Sequence, residues 1–232
     1  MATSSFTSTV GPELAARPLP DLVADWISGW VVSRGASDPG PAPWGWTIDV
    51  GQPRQLARHV IVDADEPRVR AAAGQAPADG WWLKVFLPAP HDGPEGLIGP
   101  WLGAEWAFDD AAFLMSSALE PAEPGPLPPG YRLRTWTRGG VVRVLITAAD
   151  GGLAARGQAG LAGDVAVPDQ ISTAPAHQRR GLGSVVMRVL QQQAPAAGAS
   201  RAILGASTEG RALYESLGWR THTAFASAYR VV

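Results

Sequence analysis

The stretch Gln178 to Ser184, QRRGLGS, decides the reading of this 232-residue chain, because of what stands on either side of it. Upstream, about Val165 to Thr173 reads as a strand. Downstream, Leu182, Val185, Val186, Val189 and Leu190 repeat at helical spacing. Glycines at 181 and 183 let the backbone approach a ligand closely at the helix start. The free N–H groups of a first helical turn point outward as donors to an anion, and Arg179 and Arg180 add positive charge beside them. Such a segment can cradle a diphosphate. A glycine-containing helix start after two surface arginines also occurs without any ligand, so the context has to carry the weight.

Working outward, YRLRTW (Tyr131 to Trp136) predicts a strand, and the turn TRGG leads into a second at Val141 to Thr147. Asp150, Gly151 and Gly152 signal a hairpin into Leu153 to Leu161. After the helix, which should stop before Pro195, a strand is expected at Ala202 to Ala206 and a short helix at Gly210 to Leu217, with Gly218 just past its end. Trp219 to Thr223 and Phe225 to Val231 read as two closing strands. The order is β-β-β-β-α-β-α-β-β, an α+β arrangement with a mixed, mostly antiparallel sheet and flanking helices.

Two motifs stand at a fixed distance inside that order: QRRGLGS, and ALYESLGW from Ala212 to Trp219, preceded by ISTAP from Ile171 to Pro175. Together they resemble the GNAT superfamily of N-acetyltransferases, over roughly Tyr131 to Val232. Gln178, Gly181 and Gly183 match that family's pyrophosphate loop, ISTAP its fourth strand and exit, and ALYESLGW its terminal signature. The resemblance implies acetyl-CoA as acyl donor and no metal. It implies that Gln178, Arg179, Arg180, Gly181, Leu182, Gly183 and Ser184 bind the CoA diphosphate, while Ile171, Ser172 and Thr173 pair with the pantetheine arm. It also implies a bulge in the fourth strand, with the Ile171 N–H polarising the thioester carbonyl. Tyr214 matches the acid that protonates the departing thiolate; a tyrosine of ordinary pKa near 10 is protonated at neutral pH. Core packing is the alternative role for Tyr214.

The general base is less sharply marked. Asp169 precedes Ile171 and Thr173 by two and four residues and would share their strand face if pairing is regular; a bulge would reverse this. Asp164 is further off, Glu209 and Glu215 read as solvated helix surface, and His222 as structural. The family's asparagine after the fifth strand is replaced here by Ser207 or Thr208, of which Thr208 is the candidate contact to the pantetheine. Only Thr137 to Gly140 separate the first two strands, where the family places helices that wall the acceptor pocket. Something else must supply that wall, and the first half is the obvious donor.

That first half differs in composition. Before Pro121 there are 15 acids against 7 bases; from Pro121 onward, 6 against 12. Eight of ten tryptophans precede the proline-rich segment Pro121 to Gly130, which should be a linker. The expected organisation is a flexible lead-in over 1–18, an acidic, tryptophan-rich α+β domain over 19–120, the linker over 121–130, and the acetyl-CoA-binding domain over 131–232. Helices are expected at Leu19 to Trp30, Asp65 to Ala73 and Asp109 to Leu119, and strands at Gly45 to Val50, His59 to Val62 and Trp81 to Leu87. WWLKVFL followed by GPWLGAEWAF resembles a worn LYESLGW end without the tyrosine, so the first half reads as a degenerate second GNAT-like domain. His59 and His91 stand alone and read as structural or surface residues.

With no cysteine, disulfides, thiol catalysis and cysteine-ligated metal sites are excluded. A net charge of −2 and the lack of a recognition motif argue against nucleic acid, and no apolar run is long enough to span a bilayer. The N-terminus lacks a secretory pattern, which predicts a cytoplasmic protein of GC-rich bacterial composition. The expected activity is acetyl transfer from acetyl-CoA to a primary amine of a small molecule by direct attack, with indoles and acids of the first half holding a cationic acceptor. Acetylation of a protein or peptide, and a non-catalytic acyl-CoA-binding module, are the alternatives. A homodimer is left open.

Overall fold

Why the chain closes into one sheet is clearest at Ala112 to Ala118. The computed structural model describes residues 17–91, 93–119 and 125–231. The lead-in over 1–16 and residues 121–124 of the linker lie outside them. Within the described residues Ala112–Ala118 is a strand, where spacing over Asp109 to Leu119 predicts a helix. It lies between Arg201–Ser207 and Arg220–Arg230, with Leu114 and Met115 both fully buried on opposite faces. A short run covered on both faces shows no alternation, so periodicity cannot separate strand from buried helix there.

The strands are β1 (Gly40–Ala42), β2 (Gly45–Gln52), β3 (Gln55–Ile61), β4 (Trp81–Val85), β5 (Trp106–Phe108), β6 (Ala112–Ala118), β7 (Tyr131–Arg138), β8 (Val141–Ala148), β9 (Leu153–Ala162), β10 (Val165–Thr173), β11 (Arg201–Ser207) and β12 (Arg220–Arg230). Their order in the sheet is β1-β2-β3-β4-β12-β6-β11-β10-β9-β8-β7, with β5 paired to β12. Among the described residues only β3/β4 and β10/β11 are parallel pairs. The order is therefore near-palindromic. Each half runs through an antiparallel meander and a parallel crossover, and each lends its last strand to the other: β6 lies against β11, β12 against β4. The two expected closing strands are one continuous β12, with its register shift at Thr221/Thr223.

Among the described residues five α-helices cover the faces: α1 (Leu19–Arg34), α2 (Glu66–Gly74), α3 (Pro94–Ile98), α4 (Leu182–Ala196) and α5 (Thr208–Ser216). Asp65 caps α2 by accepting from the Arg68 N–H, and Ser207 caps α5 by accepting from the Gly210 N–H. Helix α4 passes through Pro195 in its last turn and ends at Ala196, two residues beyond the expected stop. No helix among the described residues is long and apolar enough to cross a membrane.

Helix α1 places Leu22, Val23, Trp26, Ile27, Trp30 and Val31 on its buried face and lies across β9, β10 and β11. It comes so close because two glycines meet. A Cβ on Gly160 of β9 would stand 2.0 Å from the Gly29 carbonyl oxygen, and one on Gly29 would stand 2.5 Å from Val167 Cγ2. Helices α4 and α5 share a different core with Val144, Ile146 and Trp219, on the other face of the sheet. Arg201 of β11 adds a polar tie, pairing with Asp25 of α1 at 3.1 Å and also with Asp164.

Candidate active site

Strands β10 and β11 begin side by side and then part. They pair only at Val165↔Arg201 and Ala166↔Ala202, although both run on by at least five residues. The wedge between them is the centre of the site. At the same level β10 breaks register with β9, from Asp169↔Gln158 to Ser172↔Arg156, so Gln170 and Ile171 form a bulge. Gln170 takes φ +54°, the left-handed region.

The bulge decides which face each candidate meets. Regular pairing would place Asp169, Ile171 and Thr173 together. Instead Asp169 meets α1, while Ile171 packs into the core beneath α4. Thr173 faces the same side: its Oγ1 lies 3.9 Å from a Cβ built on Gly183. The extra residue shifts the alternation by one.

The loop follows directly. Arg179 (φ +60°) and Gly181 (φ +76°) are both left-handed, which folds successive N–H groups into a concave turn. Gly181 is the N-cap of α4, and no side chain caps that end, so the first-turn N–H groups of Leu182, Gly183 and Ser184 keep their donors. Gln178, Arg179 and Arg180 are exposed around it. Arg180 is steadied by the Tyr131 hydroxyl at 3.1 Å, which in turn meets His177 Nδ1 at 3.1 Å. Neither Tyr131 nor His177 stood out in the sequence, since each signals only through the fold. Thr208 is exposed at the start of α5, and the Ser207 hydroxyl is used in capping.

Tyr214 sits on α5 beside Trp219, with ring centroids 6.0 Å apart. Burial, and then the negative charge of Asp169, push its phenol up to about 12. Asp169 is held from α1: Arg34 Nε and Nη2 both engage its carboxylate, the second at 2.8 Å, and Ser33 Oγ donates at 2.9 Å. Gln158 Nε2 donates to that Ser33 oxygen at 2.8 Å. Arg34 and Ser33 are site residues that the sequence reading missed.

Behind the wedge, on the α1 face, is a cavity of about 280 Å³. Its walls come from Trp26, Trp30 and Arg34 of α1, from Arg58 and Lys84 of β3 and β4, and from Pro168–Asp169 and Gly205–Ser207. Asp109 and Asp110 stand exposed at its rim. The first half thus supplies cations as well as indoles and acids. The remaining candidates lie elsewhere. Asp164 pairs with Arg201, Glu209 is exposed, and Glu215 accepts from Arg211 at 2.7 Å and Thr221 at 3.0 Å. His222 Nε2 meets Ser116 Oγ at 2.7 Å, and burial lowers its pKa to about 4. His59 is packed between Trp44 and Trp81, is bonded to Thr47 at 2.8 Å, and is likewise lowered to about 4 by burial. His91 is exposed.

Residues 112–219 match the family described as Acetyltransferase (GNAT) family. The match starts at β6, on the N-terminal side of the proline-rich segment. No curated protein matches the sequence. Among solved structures, a GCN5-related N-acetyltransferase from Kribbella flavida superposes with a TM-score of 0.62 at 17% identity, covering 93% of this chain and 96% of that one. A putative GNAT acetyltransferase from Novosphingobium aromaticivorans gives 0.56 at 18%, covering 93% and 99%. A GCN5-related N-acetyltransferase from Sphaerobacter thermophilus gives 0.53 at 11%, covering 92% and 93%. The whole two-part architecture, not the second half alone, is shared with these folds.

Proposed function

We propose, from the premise that residues 112–219 form an acetyltransferase (GNAT) domain, that this protein transfers an acetyl group from acetyl-CoA to the amine of a small molecule. The family implies acyl-CoA-dependent transfer and an acceptor; the size of the acceptor is read from the cavity. At about 280 Å³ it falls just below the usual span of small-molecule sites, about 300 to 1,000 Å³, which suits a small acceptor.

The residues present suit the donor. The uncapped turn at Gly181 with the exposed arginines suits a diphosphate, and the wedge between β10 and β11 offers unpaired strand edges to an extended arm. When bound, acetyl-CoA supplies the thioester carbon that the amine attacks. In this reading the loop of Gln178 to Ser184 holds the diphosphate, and main-chain groups of Ile171, Ser172 and Thr173 hold the arm, with Thr208 near the exit. The Ile171 N–H donates to the carbonyl oxygen as charge builds there. Tyr214 donates its phenolic proton to the leaving sulfur; a pKa of about 12 keeps that proton in place throughout the neutral range.

Asp169 faces the other side, toward the cavity. Arg34 and Ser33 occupy three of the roughly four acceptor sites of its carboxylate, leaving one for an amine N–H. Asp169 therefore receives and orients the amine on its way to the thioester, and takes its proton. The two substrates approach from opposite faces and meet in the wedge, as direct transfer requires.

The observation that supports this reading is that β10 and β11 part beyond Ala166↔Ala202, with the α1-walled cavity bounded by Pro168–Asp169 and Gly205–Ser207 of those two strands. The test is thiol release from acetyl-CoA across a panel of small amines and lysine-containing peptides. Turnover confined to small amines is expected. Turnover only with peptides, or none with any amine, would overturn the reading.

A further inference from the structure

Two cations in the cavity are not used by the chemistry above. Arg58 is only 4% exposed, with its guanidinium carbon 3.7 Å above the Trp30 ring, and its Nε is buried without a hydrogen-bond partner. It has no carboxylate partner among the described residues. Lys84, the only lysine of the chain, is 9% exposed; its Nζ donates to Ser227 Oγ at 2.7 Å and lies 4.8 Å from the centre of the Trp82 ring. That hydrogen bond uses one of its three donors. In the parallel β3/β4 pair, Arg58 stands opposite Trp82 and Val60 opposite Lys84, so both cations project from one face, one side-chain step apart.

Burial lowers the pKa of Arg58 to about 9, and that of Lys84 well below the ordinary lysine value. Positive neighbours deepen both shifts: Arg34 acts on Arg58, and Arg58 on Lys84. Asp169 offsets the first in part and Asp109 the second. Burying two charges side by side without an anion costs stability that apolar residues would not. Such a cost is typical of a site whose anion arrives with the ligand. The acids around the cavity are arranged differently: Asp109 and Asp110 are exposed at the rim, and Asp169 lies at the wedge. The cavity has a cationic floor and an anionic approach. Counting Arg34, Arg58 and Lys84 against Asp109, Asp110 and Asp169, its formal charge is balanced, which suits a ligand of no net charge.

We infer that the acceptor is a zwitterionic amino carboxylate, its carboxylate held by Arg58 and Lys84 and its amine presented past Asp169 to the wedge. This rests on the proposed acetyltransferase function for the chemistry, but not for the binding. A bidentate guanidinium matches a carboxylate plane, with the ammonium of Lys84 as a second point of charge. An amine lacking the carboxylate would leave both cations buried and unpaired, and an active site built for a polar partner discriminates strongly against its absence.

The test sets free amino acids against their carboxamides and decarboxylated amines in thiol release from acetyl-CoA. We expect kcat/KM for the best amino acid to exceed that of its carboxamide and its decarboxylated amine by about 100-fold or more. Arg58→Met and Lys84→Met should each raise KM for that amino acid at least tenfold, with KM for acetyl-CoA within twofold, and narrow its lead over the carboxamide. Both variants should fold with an equal or higher Tm; should one misfold, the other still reads the site. Calorimetry of the same amino acids with the CoA-loaded protein separates the two claims. Binding without turnover, lost in both variants, upholds the acceptor class and overturns the transferase reading. Equal turnover of decarboxylated amines, or no amino-acid binding, or variants with unchanged preference, overturns the inference.

Discussion

The guanidinium of Arg34, on the last turn of α1, clasps the carboxylate of Asp169 on β10, 135 residues further along the chain. That clasp fixes the helix that walls the cavity to the strand that forms the wedge. Both side chains are mostly buried, so removing one partner leaves the other as an unpaired buried charge. Arg34→Met and Asp169→Asn should each lower kcat/KM about tenfold or more. A double-mutant cycle on folding stability should show a coupling of about 1–3 kcal/mol. Additive effects would show that the two residues act independently.

Helix α1 is held close by the Gly29/Gly160 contact. Gly160→Ala puts a methyl 2.0 Å from the Gly29 carbonyl oxygen, and only a shift of the helix can relieve it. We expect a loss of about 1–3 kcal/mol, read as a lower Tm. Acetyl-CoA affinity should change little, because the loop at Gly181 lies on the opposite face. A wild-type melting curve would mean that the helix does not sit against β9.

The loop has its own test. A Cβ on Gly183 would lie 3.2 Å from Leu213 Cδ2, and a longer side chain would fill the space beside Thr173 and the first turn of α4. Gly183→Leu should weaken CoA binding about 100-fold or more in calorimetry, with the fold retained. Retained affinity would place the diphosphate elsewhere.

Tyr214→Phe keeps the ring against Trp219 and removes only the hydroxyl. An acid role predicts a fall in kcat of about 10²-fold or more, with KM for acetyl-CoA unchanged. Because the phenol titrates at about 12, no loss of wild-type rate from Tyr214 ionisation should occur below about pH 11. Unchanged turnover of the variant at every pH would reduce Tyr214 to packing.

Acid should destabilise the fold through two histidines. His59 and His222 titrate at about 4 in the folded chain, against an ordinary 6.5. Between those values the unfolded chain binds protons that the folded one refuses, so stability is full above about pH 6.5 and falls steadily toward pH 4. The double variant His59→Gln, His222→Gln should flatten the slope of Tm against pH over that window. An unchanged slope would assign the acid loss to other groups.

Much of the second half was legible in the residues themselves. QRRGLGS, the strand ending at Thr173 and ALYESLGW encode the loop, the strand and the tyrosine helix through local spacing, and each of those elements stands where it was expected. The same local logic misread Asp109 to Leu119 as helical, because burial on both faces of β6 erases alternation. It left the facing of Asp169 open because one extra residue in a bulge reverses every side chain beyond it. The sequence by itself thus determined where the loop, the strand and the tyrosine helix stand.

Only the tertiary structure decided what surrounds them. The exchange of β6 and β12 between the halves, the closure of the cavity by α1, and the meeting of Arg34, Arg58, Lys84 and Asp169 around that cavity all join residues far apart in the chain. Backbone pairing and charge attraction act through space, so they leave no periodic trace in the order of residues. The acidic, tryptophan-rich half announced itself by composition; that its buried cations face the site was settled by packing alone.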